Sequence, residues 1–120
     1  MGFKLRPFSG PTLILPGIRS IPAPGHTPGH SLYRVESRGQ SMTFIGDLVH
    51  VESLQFAKPG ITILYDVDQP GAATQRARQF AALSKARELV AGAHVPFPGM
   101  GRIGADDGAY RFVALNYRNR

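Results

Sequence analysis

Four histidines and one aspartate stand where side chains can do chemistry. His26 and His30 lie in Pro22-Ala23-Pro24-Gly25-His26-Thr27-Pro28-Gly29-His30. Three prolines and two glycines in nine residues exclude helix and central strand, so this segment is a rigid loop presenting two imidazoles. Asp47 follows Gly46 at the end of the apolar run Met42-Thr43-Phe44-Ile45. A carboxylate closing a buried strand is costly unless it is paired or bound to a metal. His50 lies three residues further on, and His94 follows the short apolar stretch Leu89-Val90-Ala91-Gly92. There is no cysteine, so disulfides and thiolate metal sites are excluded. Neutral imidazole with carboxylate suits Zn, Mn, Fe or Co. Each residue alone has a plainer reading: a loop histidine is commonly a surface residue, and Asp after Gly is commonly a turn former. The combination and its order carry the chemical reading.

The elements that must position these residues are mostly strands. Thr12 to Leu15 and Ile18 to Ile21 flank the turn signal Pro16-Gly17 and read as a hairpin. Ser31 to Glu36 alternates as a strand, Ser37-Arg38-Gly39-Gln40 is a turn, and Met42 to Ile45 suits a buried strand. Val49 to Phe56 is ambiguous. Ile61-Thr62-Ile63-Leu64-Tyr65 is strand-like and β-branched. One helix is clear, from about Gly71 to Arg87, with Pro70 near its first turn and Asp66 and Asp68 as expected caps. Ala73, Ala77, Phe80, Ala81 and Ser84 would form its inner stripe. Arg76, Arg78, Gln79 and Lys85 would form a solvated outer face. Leu89 to Gly92 reads as a short strand. Gly101 to Ala105 and Tyr110 to Leu115 pair around Asp106-Asp107-Gly108. The fold class is α/β or α+β: a mixed or antiparallel sheet with one main helix.

Composition sets the outer bounds. A chain of 120 residues holds one domain with a real core. Fourteen glycines and ten prolines exceed the usual combined share of about 12%, which makes the chain loop-rich. The net charge is +6, but the basic residues are dispersed; only the tail Arg118-Asn119-Arg120 is locally dense. Without a zinc finger, an RNA-binding aromatic motif or a basic helix, nucleic-acid binding is not favoured. No apolar run approaches the roughly 18–20 residues of a membrane span, and Met1 to Pro7 lacks the apolar stretch of a secretory signal. The expectation is a soluble protein without membrane partners, its compartment not indicated.

Gly25-His26-Thr27-Pro28-Gly29-His30, then Gly46-Asp47, then Gly92-Ala93-His94 resembles the second half of the metallo-β-lactamase-fold hydrolases. Intervals of 21 residues from His26 to Asp47 and 47 from Asp47 to His94 are in keeping with that layout. Phe8-Ser9-Gly10, Val35 to Gln40, Val51 to Phe56, Pro96 to Gly99 and Tyr110 to Val113 are similar to the methyl parathion hydrolase-like branch, with its esterase- and lactonase-type members. The resemblance implies that His26 binds one metal, that His94 binds a second, and that Asp47 bridges both and is the catalytic carboxylate. His30 would orient the site without binding metal, and His50 would point near it. The implied cofactor is zinc or another divalent transition metal, two in the complete family site. The implied reaction is hydrolysis of ester, lactone or organophosphate bonds by a metal-bridging hydroxide. Phe56, Phe97 and Met100 either line an apolar substrate pocket or pack in core and loop.

The superfamily's His-x-His-x-Asp-His motif has no counterpart here. The chain is therefore expected to be the C-terminal half of an αββα sandwich, inactive by itself. Only two family ligands per metal remain, where catalytic zinc normally takes three. Its expected partner is a second copy in a symmetric dimer, or the missing N-terminal half. A folded fragment that self-associates without catalysis is the competing expectation.

Overall fold

The computed structural model describes residues 4–117. The basic tail singled out above lies outside them. Seven strands form one mixed sheet in the order of the sequence: β1 (Thr12–Leu15), β2 (Ile18–Pro22), β3 (Ser31–Ser37), β4 (Gln40–Phe44), β5 (Leu89–Ala91), β6 (Met100–Asp106) and β7 (Ala109–Ala114). All neighbours are antiparallel except β4 and β5, which run parallel, Thr43 opposite Val90. A parallel pair needs a long crossover. Here it holds a 3-10 turn (Gly46–Leu48), a single helical turn α1 (Glu52–Gln55) and the helix α2 (Gln69–Lys85). Val49 to Phe56, ambiguous in sequence, thus becomes a short helix inside this crossover.

Helix α2 covers one face of the sheet. Leu32, Ile45, Leu48, Val49, Phe56, Phe80, Leu83, Val90 and Ile103 form the core between them. Phe56 stacks on Phe80 with ring centroids 4.7 Å apart. Phe56 is therefore a core residue, not a pocket wall. On the opposite face Leu15, Tyr33, Phe44, Val113 and Leu115 remain exposed.

Two expectations fail here. Helix α2 buries Ala72, Arg76, Gln79, Phe80 and Leu83, not the alanine stripe through Ala73, Ala77 and Ala81. The true stripe is offset by one residue, about 100° around the helix. Phe80 and Leu83, the bulkiest apolar residues of the helix, fix the face, while alanines tolerate either side. Arg76 is buried despite its charge because the backbone carbonyls of Leu48, Pro59 and Ile61 accept from its guanidinium.

Ile61 to Tyr65 is not a strand. Side chains take the backbone groups that a ladder would need. Ile61 O accepts from Gln55 Nε2 and Arg76 Nη1, and Ile63 N donates to Asp66 Oδ2.

Candidate metal centre

The histidine loop runs from β2 to β3 and is tied down at both ends. Ala23 N donates to His30 O, and His30 N to Thr27 O. Its middle is bound to the segment leading into α2: Asp68 N donates to Gly25 O at 2.9 Å and Val67 N to His26 O at 3.1 Å. Gly25 has φ +147°, and a Cβ there would lie 2.4 Å from Ala72 N. Only glycine allows α2 to approach this closely. Asp68 caps the helix, its side chain accepting from Gly71 N at 3.0 Å. Asp66, the other expected cap, does something else.

Asp47 is the hub. His94 Nε2 lies 3.1 Å and His50 Nε2 3.5 Å from its Oδ1, and His26 Nε2 lies 3.6 Å from its Oδ2. The His50 ring sits between the other two, with centroids 4.7 Å from His26 and 5.0 Å from His94. The structure thus brings His26 and His94, far apart in the chain, to Asp47 and its near neighbour His50.

His30 makes no polar contact with the Asp47 carboxylate among the described residues; its ring instead fixes the aspartate backbone. Nδ1 donates to Ala23 O at 3.0 Å, and Nε2 accepts from Asp47 N at 3.1 Å. A carbonyl can only accept and an N–H can only donate, so His30 is the neutral Nδ1–H tautomer. Gly46 makes this contact possible. It adopts φ +50°, and a Cβ on it would stand 3.0 Å from His30 Nε2.

Asp66, read in the sequence only as a cap, is a further residue that the structure brings to the candidate site. Its side chain is fully buried, and its Oδ1 lies 3.1 Å from His26 Nδ1. The signal was present: like Asp47, it is an acid closing an apolar run. Phe97 is 76% exposed with its ring against Tyr117, and Met100 is half-buried at the start of β6.

Burial lowers the pKa of His50 below the ordinary imidazole value, and neighbouring His26 and His94 push the same way. Asp47 and Asp66 oppose the shift. A neutral imidazole is the form that binds metal. Its Nδ1 is buried without a hydrogen-bond partner among the described residues.

The donor set fits a divalent cation. Ligand atoms of Asp47, His50 and His94 lie within 4.8 Å of one another, as do those of His26, His50 and Asp66. Nitrogen and carboxylate oxygen converge with no lysine or arginine on Asp47 among the described residues. No helix among the described residues is long and apolar enough to cross a membrane.

No family model matches the chain, and no curated protein matches it. Solved structures do. A hydrolase of the beta lactamase superfamily, AbOPH, is 38% identical with a TM-score of 0.83, over 88% of this chain and 36% of its own. AidC, a dizinc quorum-quenching lactonase, is 22% identical with a TM-score of 0.85, over 90% of this chain and 37% of its own. A probable metal-dependent hydrolase from Staphylococcus aureus is 20% identical with a TM-score of 0.70, over 92% of this chain and 40% of its own. The last two show likeness of fold. The chain spans little more than a third of the length of these relatives. With this sheet, this helix and this identity over nearly all of its residues, the chain belongs to the metallo-β-lactamase superfamily.

Proposed function

We propose that this chain supplies the His26–Asp47–His94 part of a metal-dependent hydrolase acting on ester, lactone or organophosphate bonds. The observation that carries the reading is Asp47: one carboxylate oxygen faces His26 and the other faces His50 and His94. Divalent cations taken up here would be held by Asp47 together with His26 on one side of the carboxylate and His94 on the other. When bound, zinc or another divalent transition metal supplies Lewis acidity, making water nucleophilic near neutral pH and polarising the attacked carbonyl or phosphoryl group.

The chain's own residues hold and orient. His30 fixes the backbone from which the Asp47 side chain extends toward the histidines. His50 packs between His26 and His94 and limits the space around Asp47. Phe97, three residues past His94, offers an exposed apolar ring to a substrate, and Met100 stands half-buried at the start of β6.

Zinc titration with elemental analysis tests this reading. Stoichiometric metal in the wild-type chain, lost in His26→Ala and in Asp47→Ala, is the expected result. Binding that is the same in all three proteins sinks it. Aryl-ester turnover that depends on added zinc and disappears in His26→Ala would extend it to catalysis.

A second reading rests on the apolar sheet face opposite α2, where Leu15, Tyr33, Phe44, Val113 and Leu115 are exposed. Contiguous apolar patches of this kind mark association surfaces. In this reading a second copy covers the face in a symmetric dimer, and the chain need not be catalytic. Sedimentation that finds only monomer, at concentrations well above micromolar, removes it.

A further inference from the structure

Beneath the atoms that face the metal centre lies a buried charged pair which the proposed chemistry leaves unused. Arg76 on α2 and Asp66 in the preceding loop have side chains 1% and 0% exposed. Arg76 Nε donates to Leu48 O at 2.7 Å, and Nη1 donates to Pro59 O at 2.7 Å and Ile61 O at 2.8 Å. Its Nη2 lies 3.8 Å from Asp66 Oδ2. That same oxygen accepts from Ile63 N at 3.3 Å. One side of the carboxylate therefore meets only donors. The other oxygen, Oδ1, is left to His26 Nδ1 at 3.1 Å.

A ring nitrogen facing a carboxylate carries the proton. The proton on Nδ1 leaves the lone pair on Nε2, the nitrogen directed at Asp47. Carboxylates that take the second N–H of a metal-binding histidine in this way fix its tautomer and ring orientation. Arg76 adds a further link, because the carbonyl it holds belongs to Leu48, the residue after Asp47. One guanidinium thus ties the Asp47 turn, the 59–61 loop and Asp66 to the same point of α2.

We propose that Arg76 and Asp66 are positioning residues that hold His26 as its Nδ1–H tautomer and aim its Nε2 at the metal. The purpose of this relay rests on the metal reading above, but the tautomer itself can be observed without metal.

The experiment uses the full chain with 15N-labelled histidine. Long-range 1H–15N spectra of the metal-free protein, above the imidazole pKa, report which nitrogen of His26 is protonated. Zinc titration of the same samples reports affinity. The variants are Asp66→Asn and Arg76→Lys. In Asp66→Asn, Ile63 N–H and the guanidinium keep the amide oxygen on their side and turn the NH2 toward His26. The expected wild-type form is Nδ1–H, switching to Nε2–H in Asp66→Asn with zinc binding weakened about 10–100-fold. Arg76→Lys keeps the charge but cannot reach three carbonyls, and should weaken zinc about tenfold. Asp66→Asn, nearly isosteric, decides the matter if Arg76→Lys does not fold.

An Nε2–H wild-type ring overturns the inference. So does Asp66→Asn with an unchanged tautomer, or with a switched tautomer and unchanged zinc affinity. Zinc that binds wild type no better than His26→Ala overturns the metal reading instead, while the tautomer comparison still decides whether Asp66 sets the ring.

Discussion

The two sides of the candidate metal centre are built differently. Toward α2, His26 rests on Asp66 and Asp66 faces Arg76, with both of these charges sealed from solvent. Toward the surface, Asp47 and His94 are 42% and 44% exposed and meet at 3.1 Å. The inner side already has its partners: the Asp66 carboxylate meets His26, Arg76 and the Ile63 N–H, and the Arg76 guanidinium meets three backbone carbonyls. On the outer side the Asp47 carboxylate faces the imidazoles of His26, His50 and His94. A divalent cation taken up here would meet ligands already held in place on the inner side, and rigid ligands lose little freedom on binding.

The comparison breaks first at Arg76. Removing one partner of a buried ion pair leaves the other charge uncompensated, at about 3–5 kcal/mol. Arg76→Met should lower unfolding stability by that amount in urea denaturation, and a loss under 1 kcal/mol would mean that the inner side is not held as described. At the outer side, Asp47→Ala should barely change the stability of the metal-free chain. Zinc at one hundred times its Kd should stabilise wild type by about 2.7 kcal/mol and the Asp47→Ala variant by nothing, as thermal melts would show. Gly46 joins the two sides. Gly46→Ala forces a left-handed alanine against His30 and should cost about 1–3 kcal/mol, with loss of the Asp47 amide protection in hydrogen exchange.

The smallest effect is the pH dependence of the metal-free chain. His50 faces His26, His94, Asp47 and Asp66, and its folded pKa lies below the ordinary value. The unfolded chain therefore takes up the proton first as pH falls. Stability contributed by neutral His50 is present above the ordinary imidazole range and declines as pH drops through the lowered folded pKa. Urea midpoints should show a shallower acid decline in His50→Gln; an identical decline would remove His50 as its source.

Much of the fold was legible because its signals are local. Pro16-Gly17 made a hairpin turn, the Pro/Gly-rich loop set His26 and His30 between strands, and Asp68 capped α2 as its position suggested. The errors came where long-range partners decide. Ile61 to Tyr65 has strand composition, yet Gln55, Arg76 and Asp66 take its backbone groups. The face of α2 was misread because alanines carry little preference and Arg76 looks solvent-bound until three carbonyls are brought to it. Phe56 could have been wall or core, and only its stack on Phe80 decides for core.

The sequence by itself determined the chemical inventory: imidazole and carboxylate without thiolate, displayed on glycine-rich loops at strand ends, in an order that resembles one superfamily. Those features depend on residue type and short spacing, so they survive without coordinates. Only the tertiary structure decided which acid serves which histidine. Asp66 lies 40 residues from His26 and Asp47 lies 47 from His94; the first contact is set by how the segment leading into α2 docks on the histidine loop, the second by the parallel pairing of β4 and β5. Whether a charged side chain caps, pairs or binds depends on the groups that packing brings within about 3 Å, the length of a hydrogen bond.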